Sequence, residues 1–312
     1  MAFAAVPELS VVIPAYNRPN ELRLCLEGFS RQTSPRDSFE VVVVDDGSAV
    51  DLEPVVDPFR NSLNVNLIRT GNSGCAGARN LAIGHAAAEL LLLYDDDLRP
   101  GVDTVQSCIE FHARHRDVEH ALLLGFAPDP SLGDCRALEW AFPLLYAFPK
   151  QAGIYGWHLF WGGTLTCKKS LFAEERFDPA FRSLEDMDMG LRLSKRFDLR
   201  IHFDGSVRGT MTRGMRFPDI CRRQYVLGYY VFQLMRAYAS ELGRARPPYD
   251  DPERHQIADP AELRLLQGAA ARGVPVEIWT RLELHARVSG WISARDGGDP
   301  PGSAGNPVPA FE

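Results

Sequence analysis

The sequence predicts an α/β protein: a mostly parallel central sheet flanked by helices, with a helical C-terminal extension. Three observations predict it. In the first hundred residues, short apolar runs alternate with amphipathic helical stretches, the pattern of βαβ units. Residues 39–44 (FEVVVV) are an uninterrupted β-branched run, the mark of a strand buried on both faces. Beyond residue 260 two helical patterns replace the strands.

The elements follow in order. Residues 9–14 (LSVVIP) read as a strand ending in a turn. Residues 19–31 carry Leu22, Leu26 and Phe29 at helical spacing, and 39–44 form the second strand. A third strand is expected at 64–68, a helix at 74–88 with Ala78, Leu81, Ala82 and His85 on one face, and a fourth strand at 89–94 (ELLLLY). Further on, a helix is expected at 102–114, strands at 121–126 and 162–168, and helices at 184–197 and 221–242. Residues 244–260 hold four prolines and read as a linker. Helical patterns at 261–271 and 276–291 precede a Gly/Pro-rich stretch, 296–312, expected to be disordered.

At 312 residues the chain has room for about two domains. Its net charge of −7 argues against a general nucleic-acid binder, which needs a basic face. No apolar run reaches the 18 or so residues of a membrane span. Residues 1–7 lack the basic and apolar regions of a signal peptide, so a cytoplasmic location is expected. Cys25, Cys75, Cys108, Cys135, Cys167 and Cys221 form no C-x-x-C pair and read as reduced thiols, mostly core filler.

In parallel sheets ligands sit at the carboxyl ends of the strands. Four polar features fall there: Pro14-Ala15-Tyr16-Asn17-Arg18, Asp45-Asp46-Gly47-Ser48, the glycine-rich Gly71–Asn80 stretch, and Asp95-Asp96-Asp97. Three adjacent carboxylates repel one another and raise each other's pKa. A hard divalent cation such as Mg2+ or Mn2+, which completes its shell with phosphate oxygens and water, relieves that repulsion. A solvated acidic turn is the alternative reading of the aspartates alone, and Asp-Gly-Ser alone is a common turn.

Taken together these motifs resemble the family-2 glycosyltransferases. The resemblance rests on residues 10–18 (SVVIPAYNR), Gln32-Thr33, 40–48 (EVVVVDDGS), 74–80 (GCAGARN), Asp95-Asp96-Asp97, Trp161-Gly162-Gly163 and Glu185-Asp186-Met187-Asp188. Their order and spacing match the family pattern across about residues 9–240. The resemblance implies the Rossmann-like GT-A fold, a nucleotide-sugar donor and a divalent metal, Mn2+ or Mg2+. It implies a base-binding turn at Pro14, Ala15 and Tyr16, with Arg18 and Gly74 beside the nucleotide. Asp46 would accept from the base, with Asp45 its substitute or the support of its turn. Arg79 would lie near base or diphosphate. Asp97 would hold the metal, with Asp95 or Asp96 reaching the ribose and Asp95 a second metal candidate. Asp186 would be the general base of an inverting transfer and Glu185 its neighbour toward the acceptor. Trp161, Gly162 and Gly163 would floor the acceptor or donor-sugar site. A purely structural role as helix-N-terminal charges is the alternative for Glu185 and Asp186, and core packing is the alternative for Trp161. Trp140, Tyr146, Tyr155 and Trp157 are either cleft or core.

The sequence departs from the family pattern at 206–213 (SVRGTMTR), which lacks the His that many members carry as a third metal ligand. Metal binding would then rest on the aspartates, or Arg208 or Arg213 would neutralise the diphosphate. His202 is expected as a packed strand residue, and His112 and His115 as surface residues. Residues 192–223 hold nine Lys and Arg against three Asp. That excess fits a solvated face, an anionic acceptor, the leaving nucleotide, or peripheral contact with the inner face of an anionic membrane. The expected organisation is a glycosyltransferase domain over 1–240, divided into a nucleotide-binding half (1–100) and an acceptor half (101–240), then a helical extension (241–295) and the tail. The acceptor class stays open between glycan, lipid-linked sugar, metabolite and protein, as does a homodimer. Two other functions are weighed: a sugar-nucleotide-binding partner subunit on the same fold, and a sugar-phosphate nucleotidyltransferase. The latter favours a basic glycine-rich loop after strand one, which this chain lacks.

Overall fold

The computed structural model describes residues 6–129, 131, 151–214, 216–240, 262–263, 276–303 and 308. Within them the chain falls into two compact units, one of residues up to 131 and from 151 to 213, the other of residues from 214 onward.

The first unit is a nine-stranded sheet. Its strands are β1 (Leu9–Ala15), β2 (Phe39–Asp45), β3 (Val65–Arg69), β4 (Leu90–Tyr94), β5 (Leu98–Arg99), β6 (His120–Pro128), β7 (Gly153–Tyr155), β8 (Thr164–Lys168) and β9 (Arg200–Met211). The order is β3-β2-β1-β4-β8-β6-β9-β5, with β7 paired to β9. β1 to β4 are mutually parallel, as the βαβ reading requires. β8 runs antiparallel to both β4 and β6, so the sheet is mixed beyond β4. Val41–Val44 and Leu91–Leu93 are fully buried, which is why these strands carry no polar alternation.

The helices of this unit are α1 (Pro19–Phe29), α2 (Glu53–Val56), α3 (Gly74–His85), α4 (Thr104–Arg114) and α5 (Glu185–Ser194). α1 begins at a proline, whose missing N–H costs nothing in a first turn, and buries Leu22, Cys25, Leu26 and Phe29. His112 is a correction. It lies on the buried face of α4, 4% exposed, with Nε2 3.2 Å from Thr166 Oγ1 of β8. His202 sits in β9 with Nε2 2.9 Å from His120 Nδ1.

In the second unit, α6 (Phe217–Ala237) packs on α7 (Val276–Arg295). Phe232 meets Trp291 edge-on, and Arg287 Nε donates to Gln224 Oε1 at 2.7 Å. Residues 296–303, expected as part of a disordered tail, are held to α6 by Tyr229 Oη donating to Gly298 O at 3.1 Å. The expected linker at 244–260, and with it Trp140, Tyr146 and Cys135, lies outside the described residues. The other five cysteines are free thiols, all buried except the half-buried Cys75. No helix among the described residues is long and apolar enough to cross a membrane.

Candidate active site

Strand order turns at β1. Chain order leads from β1 outward to β2 and β3, then returns to place β4 on the other side of β1. Such a switch point opens a crevice at the carboxyl ends of the two central strands. The turn after β1 (Tyr16 to Arg18) and the three aspartates after β4 both lie there. Arg18 joins them: its Nη1 donates to Asp96 Oδ1 at 2.7 Å and to Asp97 Oδ2 at 3.1 Å. Tyr16 is 46% exposed at this end of the sheet.

Asp46 is buried against the N-terminus of α3. Its Oδ1 accepts from Ser73 N at 2.7 Å and Ser73 Oγ at 3.0 Å, and its Oδ2 from Gly74 N at 2.9 Å. The helix dipole favours this carboxylate. Asp45 supports the turn instead, accepting from Ser48 N at 2.9 Å.

Arg79, on α3, is 3% exposed. Its guanidinium donates to Asp95 Oδ1 at 2.9 Å and to Glu185 Oε1 at 2.6 Å. It thus ties the aspartate cluster to the acid pair that opens α5. Leu184, which precedes that pair, takes the left-handed conformation (φ 63°), turning the chain sharply into the helix. Asp186 accepts from Met187 N at 2.8 Å and from Gly162 N at 3.3 Å. Burial, and after it the charge of Glu185, push the Asp186 carboxyl up to about 7. Asp96 is likewise pushed up to about 7 by burial, against the pull of Arg18.

Trp161-Gly162-Gly163 lead into β8. Asp95 N donates to Gly163 O at 3.0 Å, extending the β4–β8 ladder by one rung. A Cβ on Gly163 would lie 2.7 Å from Asp95 Oδ2 and 2.8 Å from the Trp161 ring, so any larger residue would push the Asp95 carboxylate or the ring aside. The Trp161 ring stacks on Phe126 with centroids 5.0 Å apart. Trp161, like Tyr155 and Trp157, also packs against the core.

Pro14, Ala15, Tyr16, Arg18, Asp46, Gly74, Arg79, Asp95, Asp96, Asp97, Glu185, Asp186, Gly162 and Gly163 thus gather at one edge of the sheet. Sequence reasoning missed the pairing of Arg18 with Asp96 and Asp97, and that of Arg79 with Glu185. It also missed Thr212, which fixes the Asp97 backbone through N and Oγ1 to Asp97 O at 2.8 and 3.0 Å. The basic segment is mostly satisfied locally: Arg192, Arg196, Arg200, Arg216 and Arg222 all pair with nearby carboxylates. A separate group, Asp117, Glu119 and His120, has donor atoms within 4.8 Å of one another. It lies at the start of β6, the opposite edge of the sheet from the aspartates.

The cluster's chemistry fits a hard divalent cation. Asp96 is 2% exposed and its Oδ2 has no hydrogen-bond partner among the described residues, so a buried carboxylate oxygen is left to a cation.

The model of the family described as Glycosyl transferase family 2 matches residues 10–126, the segment that holds β1 to β6, Asp46, Arg79 and the aspartates. Validoxylamine A glucosyltransferase of Streptomyces hygroscopicus subsp. jinggangensis is 37% identical over 131 residues, covering 41% of this chain and 31% of that protein. The chain therefore spans about a third of that relative's length. Among solved structures, Staphylococcus aureus TarS in complex with UDP-GlcNAc superposes with a TM-score of 0.56 at 17% identity, covering 93% of this chain and 92% of that one. The mannosyltransferase PcManGT of Pyrobaculum calidifontis, in complex with GDP-Man and Mn2+, gives 0.62 at 20%, covering 93% and 88%. At these identities the superpositions speak to the fold.

Proposed function

We propose, from the premise that residues 10–126 are a family-2 glycosyltransferase segment, that this chain moves one sugar from a nucleotide diphosphate sugar, a UDP-sugar in our reading, to a hydroxyl acceptor with inversion at the anomeric carbon. The observation that carries the proposal is the Arg79 bridge. One buried guanidinium holds Asp95 of the donor cluster and Glu185 of the acid pair. The aspartate cluster and the acid pair, whose neighbouring members Asp97 and Asp186 carry the proposed roles, thus share a support.

In this reading the turn at Pro14, Ala15 and Tyr16 and the Asp46 cap of α3 receive the base. Asp95 reaches the ribose. Asp97, with Asp96 beside it, would hold Mn2+ or Mg2+; when bound, the cation would stabilise the departing diphosphate as a Lewis acid. Gly162 and Gly163 let the sugar approach the backbone, and Trp161 offers a ring face beside it. Asp186 accepts the acceptor hydroxyl's proton as oxygen attacks the anomeric carbon, a role worth roughly 10²–10⁴-fold in rate. Its carboxyl, held near 7, suits that transfer at neutral pH. Glu185 keeps the pair anchored to Arg79.

The test is calorimetric titration with UDP, GDP and dTDP, each with Mn2+ and with EDTA, on the wild-type chain and on Asp97→Ala. Cation-dependent binding of one nucleotide, lost in the variant, supports the reading. No nucleotide binding under any condition sinks it and favours a partner-subunit role.

A further inference from the structure

Arg18 answers the charge of two of the clustered aspartates. Its Nη1 sits between Asp96 Oδ1 and Asp97 Oδ2, at 2.7 and 3.1 Å. The two ends of this bridge differ. Asp96 is almost wholly buried, whereas the Arg18 side chain keeps 35% of its surface in water. A partly exposed arginine on a long flexible stem can swing toward solvent; the aspartates, fixed by strand β4 and by the Thr212 bonds to the Asp97 backbone, cannot. A carboxylate oxygen also cannot serve a dication and a guanidinium 3.1 Å away at once without bringing like charges together.

We propose that Arg18 is a resident counter-ion which competes with the divalent cation for Asp96 and Asp97, so that the cation binds well only when a nucleotide diphosphate binds with it. The inference rests on the donor site proposed above and extends it to the order of loading. Without nucleotide, the cluster's charge is already answered from within the chain, and a free cation must displace Arg18. A diphosphate changes the balance twice. It adds anionic oxygens to the cation's shell, and it gives the displaced guanidinium an anionic partner suited to its planar fork. Arg18 thereby keeps the empty site from being held by free cation.

The experiment follows free Mn2+ by electron paramagnetic resonance in titrations of the full chain. Wild type, Arg18→Gln and Arg18→Lys are compared without nucleotide and with UDP, GDP or dTDP. Thermal melts confirm that each variant is folded. In wild type, Mn2+ alone should bind weakly and the accepted nucleotide should tighten it. In Arg18→Gln, Mn2+ alone should bind at least tenfold tighter than in wild type, the low end of what one adjacent cation does to a carboxylate's proton equilibrium. The nucleotide's added effect should shrink accordingly. Arg18→Lys, a point charge on a shorter arm, should fall between the two. If wild type binds Mn2+ with nucleotide but Arg18→Gln binds Mn2+ alone no tighter, the counter-ion proposal is overturned and the cation site stands. If wild type binds no Mn2+ even with nucleotide, the cation site itself is wrong, and this proposal falls with it.

Discussion

Replacing Asp186 by Asn should make the protein more stable and less active at once, and the two effects have one cause. The carboxyl is 8% exposed beside Glu185 and is held at about 7 against an ordinary 3.8. That displacement corresponds to roughly 4 kcal/mol against the charged form. The amide carries no charge, but its single carbonyl oxygen can accept from only one of Gly162 N and Met187 N, since its NH2 is a donor, and one lost bond costs about 1–2 kcal/mol. The net gain at pH 8 is therefore about 2 kcal/mol, or roughly 5 °C in Tm for a chain of this size. The folded-state pKa lies above the unfolded one, so this group's contribution is intact below about pH 4 and is lost as pH rises through 7. The advantage of Asp186→Asn should accordingly be greatest at pH 8 and fade to nothing near pH 5. Melts of both proteins across pH 5–8, with transferase assays in parallel, measure it. Activity should fall about 10²–10⁴-fold. A variant destabilised equally at every pH would refute the assignment of a strained carboxylate, and one that kept its activity would refute the role as base.

Other outcomes follow from the same geometry. Wild-type kcat should fall on the acid side with an apparent pKa near 7, because Asp186 must be deprotonated to accept the hydroxyl proton; a flat profile from pH 5 to 8 contradicts it. Arg79→Met leaves Asp95 and Glu185 without their shared counter-charge and should cost about 3–5 kcal/mol in urea unfolding, whereas an exposed pair would cost under 1 kcal/mol. Gly163→Ala forces a methyl against Asp95 Oδ2 and should lower kcat/KM at least tenfold, about 1.4 kcal/mol, with a smaller fractional loss of nucleotide affinity.

β1, β2 and β4 were legible because they are almost wholly buried and state it in nearly unbroken apolar runs, whereas β3, at the sheet's edge, is largely half-buried or exposed. β9 was legible only at its start. Its residues mix Arg200, His202, Gly205 and Gly209 with apolar ones, and its neighbours β5 and β7 are two or three residues long. Such a strand is defined by partners distant in sequence, not by its own pattern. The site divides the same way. Which residues gather was readable from motifs at strand ends. How they pair was not, because Arg18 reaches 78 and 79 residues along the chain and Arg79 reaches 106. His112 was misjudged for the same reason: its partner, Thr166, comes from a strand 54 residues away.

Helix α3 has a consequence of its own. Its N-terminus is capped by Asp46, its middle holds Asp95 and Glu185 through Arg79, and Asn80 clasps the backbone of Phe177 through both its amide atoms, at 2.8 and 2.9 Å. One twelve-residue rod is therefore braced at Asp46, at Asp95 and Glu185, and at the loop before the acid pair. Any ligand that stiffens one brace shares its free energy with the others. By reciprocity, whatever factor a bound donor adds to acceptor affinity, a bound acceptor must return to the donor. With donor and acceptor placed as proposed, substitutions along α3 should change both affinities together, which titrating each ligand in the presence of the other would read.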